Sequence, residues 1–480
     1  MTTKTTLSEP NKQTEAISPG MLIFLAVWFG QIISLVGSGM TCFAQSITVY
    51  TDLGGSIANL GWLAVLAQLP GILLSPIAGV VADRFDRRWV MIICDTVAAL
   101  ATLTLRILIV NNVYQIWHIY VIVVIISIAN HFQWPAYFAA ISSIVPKKNL
   151  GQANGLVAAG RAVGQIAAPF MAGIAVSMFK LQGVILFDLG TYLFATIILL
   201  CVRFPKVQPA IKTETEVGRN TLLREVMYGM NYIFAKRGLL GIIVLASVGN
   251  FMLGSVGALV LPMALTITSI RGYGSIMSIS GVSLLLGGLI MGVWGGPKRR
   301  VLSLVGFMVI QGLAIMLGGL YPSMLFFVIA ISIFNFASSL ANASSQVIWQ
   351  TKVPQASQGR VVAVGLMFTA LALETGIMGT AIIGDQVQKL FVENPFLANM
   401  LPQFFGNGAG RGLAFLIFIL GFLYAVAAVA IYFYPRIRFL EHELPDMLPD
   451  EKPISPGMVM QPAAVTIYEM DFDNRIGEKK

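Results

Sequence analysis

Charge is what this chain most conspicuously lacks. Only 11% of its 480 residues are Asp, Glu, Lys or Arg, against roughly 25% in an average soluble domain. With a mean hydropathy of +0.80, a soluble globule is excluded. Three cysteines, Cys42, Cys94 and Cys201, are scattered through apolar runs, and there are only three histidines, so the chain has neither a disulfide framework nor a Cys/His zinc site. No Gly-x-x-x-x-Gly-Lys-Ser/Thr loop, no Gly-x-Gly-x-x-Gly after a strand and no His-Glu-x-x-His occurs, so ATP, a dinucleotide or catalytic zinc has no known motif to bind. A membrane-embedded enzyme needs clustered catalytic carboxylates or histidines at one face, and one of the three histidines, His442, lies in the tail. The net charge of +9 does not mark a nucleic-acid surface, because Lys and Arg sit in short turns that alternate along the chain.

Long apolar runs fill the space that charge leaves. They lie at about 21–50, 57–82, 89–111, 116–145, 152–179 and 182–204, then at about 238–268, 274–296, 301–320, 323–352, 360–390 and 411–435. Each is long enough to cross a bilayer, and the first is too long and lacks the cleavage site for a signal peptide. The expected organisation is a disordered cytoplasmic tail (1–20), an amino-terminal six-helix bundle (21–204), a cytoplasmic linker (205–237), a carboxy-terminal six-helix bundle (238–435) and a cytoplasmic tail (436–480). Within the linker, 222–234 is expected to form a short amphipathic helix on the membrane surface. Threading alternate connections to opposite sides places 25 of the 31 Lys and Arg residues with both termini and four opposite, Lys180, Arg271, Lys389 and Arg411. The positive-inside bias then makes both termini cytoplasmic. Trp62 and Trp117 fall near the outer interface and Trp89, Trp294 and Trp349 near the inner one, where amphipathic rings prefer to lie.

The tightest polar turn, Gly79-Val-Val-Ala-Asp-Arg-Phe-Asp-Arg-Arg88, joins runs two and three. Gly79 and Ala82 allow close helix approach, Asp83 suits a neighbouring helix N-terminus, and Arg84, Arg87 and Arg88 hold the turn to the cytoplasm. Asp95 lies two turns further in and is expected to join this charge network. Gly-x-x-x-Asp-Arg-x-x-Arg-Arg in this position resembles the loop signature of the major facilitator superfamily of secondary transporters. Asp86 stands where the common form has glycine, and that variant is similar to the branch of macrolide efflux proteins and the enterobactin exporter, as is Gly30-Gln31-x-x-Ser34-x-x-Gly37 in the first run. The resemblance implies an all-α membrane protein with twelve transmembrane helices in two six-helix bundles. It also implies that Asp83 and Arg87 bond across to the carboxy-terminal bundle near helix 11, as a cytoplasmic gate.

The halves echo each other: Val145-Pro146 followed by Gly151 returns as Val353-Pro354 followed by Gly359, and the charged turn as Gly292-Val-Trp-Gly-Gly-Pro-Lys-Arg-Arg300, the internal repeat of a transporter. In helix five, Gly155, Gly164, Ala168-Pro169 and Ala172-Gly173 follow the spacing of the family's antiporter motif, with alanines replacing two glycines. Small residues there give a flat packing face, and Pro169 bends it.

Polar side chains near the membrane centre are the remaining signal, because burying charge there costs roughly 2.5–3.5 kcal/mol. By helical rise, Gln31, Gln68, Asn130, His131, Arg161, Asn250 and Asn335 fall near the midplane and Glu374 somewhat further out. They come from helices 1, 2, 4, 5, 7, 10 and 11 and from none of 3, 6, 9 and 12, the partition of a wet cavity between two bundles. In the family that this chain resembles, helices 1, 4, 7 and 10 line that cavity. His131 and Glu374 are the groups there able to exchange a proton. Arg106 and Asp188 are expected to form a structural ion pair between helices 3 and 6, outside the substrate site. The expected function is secondary efflux of amphipathic, drug-like molecules of macrolide type from the cell (inner) membrane, by a monomer without a bound cofactor, driven by the proton gradient. Siderophore export is the alternative, with solute symport behind it.

Overall fold

The computed structural model describes residues 19–146, 149–202, 227, 230–297, 299–320, 323–353, 355–393 and 410–438; Gly79 and the side chain of Asp83 are among the positions inside helices whose surroundings are not described. Both tails and most of the linker therefore lie outside the described residues. In chain order the helices are α1 (Pro19–Thr51), α2 (Ile57–Arg84), α3 (Arg87–Val110), α4 (Ile116–Ile144) and a long element, Leu150–Cys201. That element has 52 residues, about 78 Å at 1.5 Å per residue, against a hydrocarbon core of about 30 Å. It cannot be one span. The break is at Lys180, whose φ of 54° and ψ of −170° leave the helical region, dividing it into α5 (150–179) and α6 (181–201). Then follow α7 (Arg237–Ile267), α8 (Ile270–Trp294), α9 (Arg300–Leu320), α10 (Met324–Lys352), α11 (Gln355–Glu393), α12 (Arg411–Phe433) and a terminal turn, α13 (Pro435–Arg438).

Twelve spans return the chain to the face on which it started, so Pro19 and Arg438 share one end of the molecule, here the terminal end. The helices form two six-helix bundles with lipid-facing apolar surfaces, Leu73, Leu100, Leu193 and Val293 among them. The turn between α2 and α3 is built by its own residues. Asp86 accepts the Arg88 N–H at 2.9 Å and so caps α3; an aspartate in place of the family's glycine satisfies a donor that would otherwise be free. Of the segment 222–234, residues 227 and 230–234 are described and helical. Ile233 is 1% exposed within the carboxy-terminal core, whereas Met227 and Phe234 are exposed, so one face of this portion packs against protein.

The two cores differ. The carboxy-terminal bundle has one continuous apolar cluster. In the amino-terminal bundle the apolar core is split into a layer at the terminal end, around Phe24, Met91 and Tyr137, and a layer at the far end, around Ile47, Leu105 and Ile185. Between these layers runs a belt of polar side chains.

The bundles meet through α5 on α8 and α2 on α11. Among the described residues, the hydrogen bonds crossing this interface run from midplane to the far end. Ser278 Oγ donates to the Ile166 carbonyl at 2.7 Å and Arg271 Nε to Ser177 Oγ at 2.6 Å. At the extreme end, Asp385 of α11 accepts Ser56 Oγ at 2.6 Å, Ile57 N at 2.8 Å and Ala58 N at 3.0 Å. The far end is closed.

Candidate functional site

Behind that closure lies a cavity of about 620 Å³ between the bundles. Its amino-terminal wall comes from α1, α2, α4 and α6 and its carboxy-terminal wall chiefly from α7 and α11. Aliphatic side chains dominate. Gln68, Asn130, Asp188 and Glu374 supply polar points, and Tyr192 and Tyr273 aromatic ones. Glu374 is 5% exposed, and neither carboxylate oxygen has a hydrogen-bond partner. A buried carboxylate without donors is held ready for a cation or a proton.

The eight cavity candidates do not share one space. Gln68, Asn130 and Glu374 line the central cavity. Gln31 and Arg161, with Asn130 at the boundary, line a smaller pocket of about 90 Å³ inside the amino-terminal bundle. Asn250 lines a pocket of about 80 Å³ inside the other bundle and bonds its own helix at Ala246. Asn335 lines a fourth space of about 190 Å³ and bonds Ile331. His131 approaches Ser127 O at 2.9 Å through Nδ1 and packs where a side chain on Gly71 would strike it; it lines none of these four spaces.

Arg161 lays its guanidinium 3.8 Å from the Trp134 ring centroid and 5.8 Å from that of Phe138, a cation–π stack worth about 0.5–2 kcal/mol. Its hydrogen-bonding edge stays available to the small pocket. Gln133, which sequence reasoning passed over, proves central there: its Nε2 donates to Asp95 Oδ1 at 2.7 Å and to Gln31 Oε1 at 3.2 Å.

Three expectations need correction. Asp95 is not part of the charged turn; it is 1% exposed in the polar belt, bonded to Gln133. Arg106 and Asp188 do not pair: Arg106 donates to the Gln182 carbonyl at 2.9 Å, while Asp188 faces Ser38 and Thr191 at 3.4 Å each. Asp188 therefore belongs to the cavity wall, and α6 contributes to the site. Gly37 makes this possible, since a Cβ there would lie 2.9 Å from Asp188 Oδ1. Third, in this far-end-closed state Arg87 meets no described residue of the carboxy-terminal bundle in a hydrogen bond but donates to the Ala139 carbonyl of α4 at 2.9 Å. Arg88 binds the Leu199 and Leu200 carbonyls at the end of α6, both at 2.7 Å, and Arg84 is exposed. The Asp83 side chain lies outside the described residues.

The antiporter-type residues divide by role. Gly164 faces Leu35 of α1, whose Cδ2 would be 2.9 Å from an added Cβ, whereas Gly155 faces open space. Pro169 and Gly173 form the contact with α8: a Cβ on Gly274 would lie 2.5 Å from the Pro169 carbonyl and 3.1 Å from Gly173 Cα. This stretch is an interface between bundles.

Comparison with known proteins agrees with this architecture. A bacterial homologue of the human lysosomal transporter Spinster, solved in an inward-facing, unoccupied conformation, superposes with a TM-score of 0.65 at 19% identity over 90% of this chain and all of that one. In sequence, macrolide efflux protein A of Streptococcus pyogenes is 26% identical over 372 residues, 76% of this chain and 90% of that protein. The multi-drug resistance efflux pump PmrA of Streptococcus pneumoniae is 31% identical over 210 residues, 42% of this chain and 49% of the pump. The family model described as Major Facilitator Superfamily matches residues 27–376, a range that runs from α1 through the α2–α3 turn and the α5–α8 interface to Glu374. Twelve helices in two bundles around an interfacial cavity, with that match, make this chain a member of the Major Facilitator Superfamily.

Proposed function

We propose that the chain exports amphipathic, drug-like compounds of macrolide type by proton antiport with alternating access. Glu374 carries this reading. It is the one carboxylate of the carboxy-terminal wall of the central cavity, and both its oxygens lack partners. A desolvated carboxylate there accommodates a substrate ammonium or a proton, but not both, which makes their exchange obligatory. The cavity of about 620 Å³ is in the range of drug-sized sites, and its apolar walls suit a lipophilic body better than a polyhydroxylated sugar. The names of the efflux relatives point the same way.

The excess of Lys and Arg at the terminal end makes that end cytoplasmic. Closed at the far end, the molecule is then in the state that takes substrate from the cell interior and proton-releasing groups to the same side. One chain forms the whole cavity, so a monomer suffices. A second reading, export of an anionic iron chelator, rests on Arg161, whose guanidinium is stacked on Trp134 beside a polar pocket.

The test is uptake of radiolabelled erythromycin into everted membrane vesicles. Losing a charge-assisted contact of about 1.5–3 kcal/mol should weaken erythromycin binding about tenfold to a hundredfold in Glu374→Gln, with gradient-driven uptake abolished. Glu374→Gln vesicles that accumulate erythromycin like the wild type refute the reading. Unchanged drug sensitivity in a deletion strain that has lost chelator secretion transfers the assignment to the second reading.

A further inference from the structure

The polar belt of the amino-terminal bundle contains a group for which the cavity chemistry has no use. Asp95 is 1% exposed, and its two oxygens are treated unequally. Oδ1 accepts from Gln133 at 2.7 Å. Gln31 approaches the same carboxyl, but Oδ2 has no partner in hydrogen-bonding geometry. An ionised carboxylate left half-bonded in a dry site is heavily penalised, whereas a neutral acid needs far less. The Asp95 site in this conformation therefore fits a carboxylic acid better than a carboxylate.

Among the described residues, no counter-charge that would reverse this bonds the carboxyl. From α4, Gln133 faces the group; from α1, Gln31; from α6, Tyr192, with Asp188 beyond it on the Ser38 hydroxyl. Arg161 of α5 is stacked on Trp134, with Gln133 on the pocket wall beside it. On α3 itself the neighbour is Cys94, and Arg88 is committed to the end of α6. The only charged residues of α2, Asp83 and Arg84, lie at its end.

Comparison of the two halves shows that scaffolding does not require an acid here. In the other bundle the corresponding helices α9, α10 and α12 carry Gln311, Ser338 and Tyr424. Tyr424 donates to Gln311 Oε1 at 2.6 Å, and Gln311 Nε2 donates to Ser338 at 3.3 Å. That network joins three helices with no charge at all, and its amide uses both of its ends. The amino-terminal half has an acid on the corresponding helix and leaves one of its oxygens unbonded.

We propose that Asp95 is a proton-carrying site of the amino-terminal bundle, separate from Glu374 in the cavity, and that Gln133 and Gln31 connect it to the small pocket beside Arg161. Gln31 and Gln133 both line that pocket, whose size and polarity suit a few water molecules. On release, the carboxyl O–H bond breaks, its electron pair stays on Asp95 and the proton passes to pocket water. The resulting carboxylate keeps the Gln133 bond and adds a negative charge to the belt near Arg161. Coupling is thereby divided: Glu374 exchanges proton for substrate where the substrate sits, and Asp95 titrates where it does not.

The inference rests on proton antiport, so the experiment separates its failure from failure of that reading. In proteoliposomes, a gradient of one pH unit supports about tenfold accumulation per exchanged proton. With protons exchanged at both Glu374 and Asp95, wild-type protein should accumulate radiolabelled erythromycin about a hundredfold, and Asp95→Asn, left with Glu374 alone, about tenfold, while substrate–substrate counterflow stays within about twofold of wild type. Asp95→Glu should retain accumulation with a displaced pH profile. A second measurement needs no substrate: on a pH jump, infrared difference spectra should show carbonyl stretches of protonated carboxylic acids in wild type, of which Asp95→Asn removes one component and Glu374→Gln another. If wild type accumulates nothing while the Asp95 component behaves as described, antiport of this substrate fails and Asp95 stands as a proton site. The inference is overturned by full accumulation in Asp95→Asn, by an Asp95→Glu pH profile superimposable on wild type, or by a carboxylic acid band left unchanged by Asp95→Asn.

Discussion

The closure at the far end is held by an unusual cap, and removing it should shift the conformational equilibrium by a measurable amount. Ser56 stands at the N-cap of α2 but makes no capping bond to its own helix. Asp385, from the other bundle, accepts the first N–H groups, Ile57 at 2.8 Å and Ala58 at 3.0 Å, while the Ser56 hydroxyl donates to it at 2.6 Å. These bonds exist only while the bundles touch; on opening, water replaces them. Loss of an N-cap costs about 0.5–2 kcal/mol, and an ionised acceptor at the positive end of a helix dipole puts this one in the upper part of that range. Asp385 is half-buried, so solvent screening keeps the value from going higher. A change of about 1.5–2 kcal/mol multiplies the open-to-closed ratio about tenfold to thirtyfold. Cys42 lines the central cavity and reports directly on access. In a Cys94→Ala, Cys201→Ala background, a membrane-impermeant maleimide added outside intact cells should label Cys42 faster in Asp385→Ala by that factor. Ser56→Ala, which spares the backbone cap, should give about a two- to tenfold increase. Labelling of Asp385→Ala at the wild-type rate, at equal expression, would refute both the latch and the placement of the far end outside.

Two further substitutions probe the frame around the site. Gly274→Val places a branched side chain where even a Cβ lies 2.5 Å from the Pro169 carbonyl; overpacking of about 1–3 kcal/mol should hold the far end open, speed Cys42 labelling and stop transport without loss of membrane insertion. Arg88→Ala removes two charged bonds to the Leu199 and Leu200 carbonyls. It should lower the melting temperature in detergent through a loss of about 1.5–3 kcal/mol, yet leave Cys42 labelling near wild type, because both bonds lie within one bundle.

Span positions were readable because they depend on a one-dimensional quantity, the run of apolar residues against bilayer thickness. Even the α5–α6 break, where the helix hydrogen bonding nearly continues, was marked by Lys180 between two runs. Depth along each helix follows from the same quantity, and Gln31, Asn130 and Arg161, expected at one level, line one pocket. Rotation about the helix axis was not readable. Successive residues turn by about 100°, so two charges at one depth need not face each other, and depth alone paired Arg106 with Asp188. The structure turns the first toward the Gln182 carbonyl and the second toward Ser38 and the cavity. Asp95 was drawn to the charged turn by sequence proximity, where only the positions of Gln133 and Gln31 on other helices reveal its environment.

The cavity carboxylate shows how packing turns a residue into part of a moving wall. Glu374 sits between Leu373 and Thr375 on α11, and that stretch is clamped to α7 from both directions: a Cβ on Gly254 would strike the Leu373 carbonyl, and one on Gly376 would strike the carbonyl of Phe251. Ser255 adds a hydrogen bond to the Gly376 carbonyl at 3.4 Å. Backbones this close cannot slide past each other without clashes, so α7 and α11 move as a unit and Glu374 keeps its place within the carboxy-terminal bundle. The opposite wall, with Gln68, Asn130 and Asp188, belongs to the other bundle and is joined across the interface through the α5–α8 and α2–α11 contacts. Under the proposed function, a rocking motion that breaks those contacts would leave Glu374 fixed in its own frame and change what it faces.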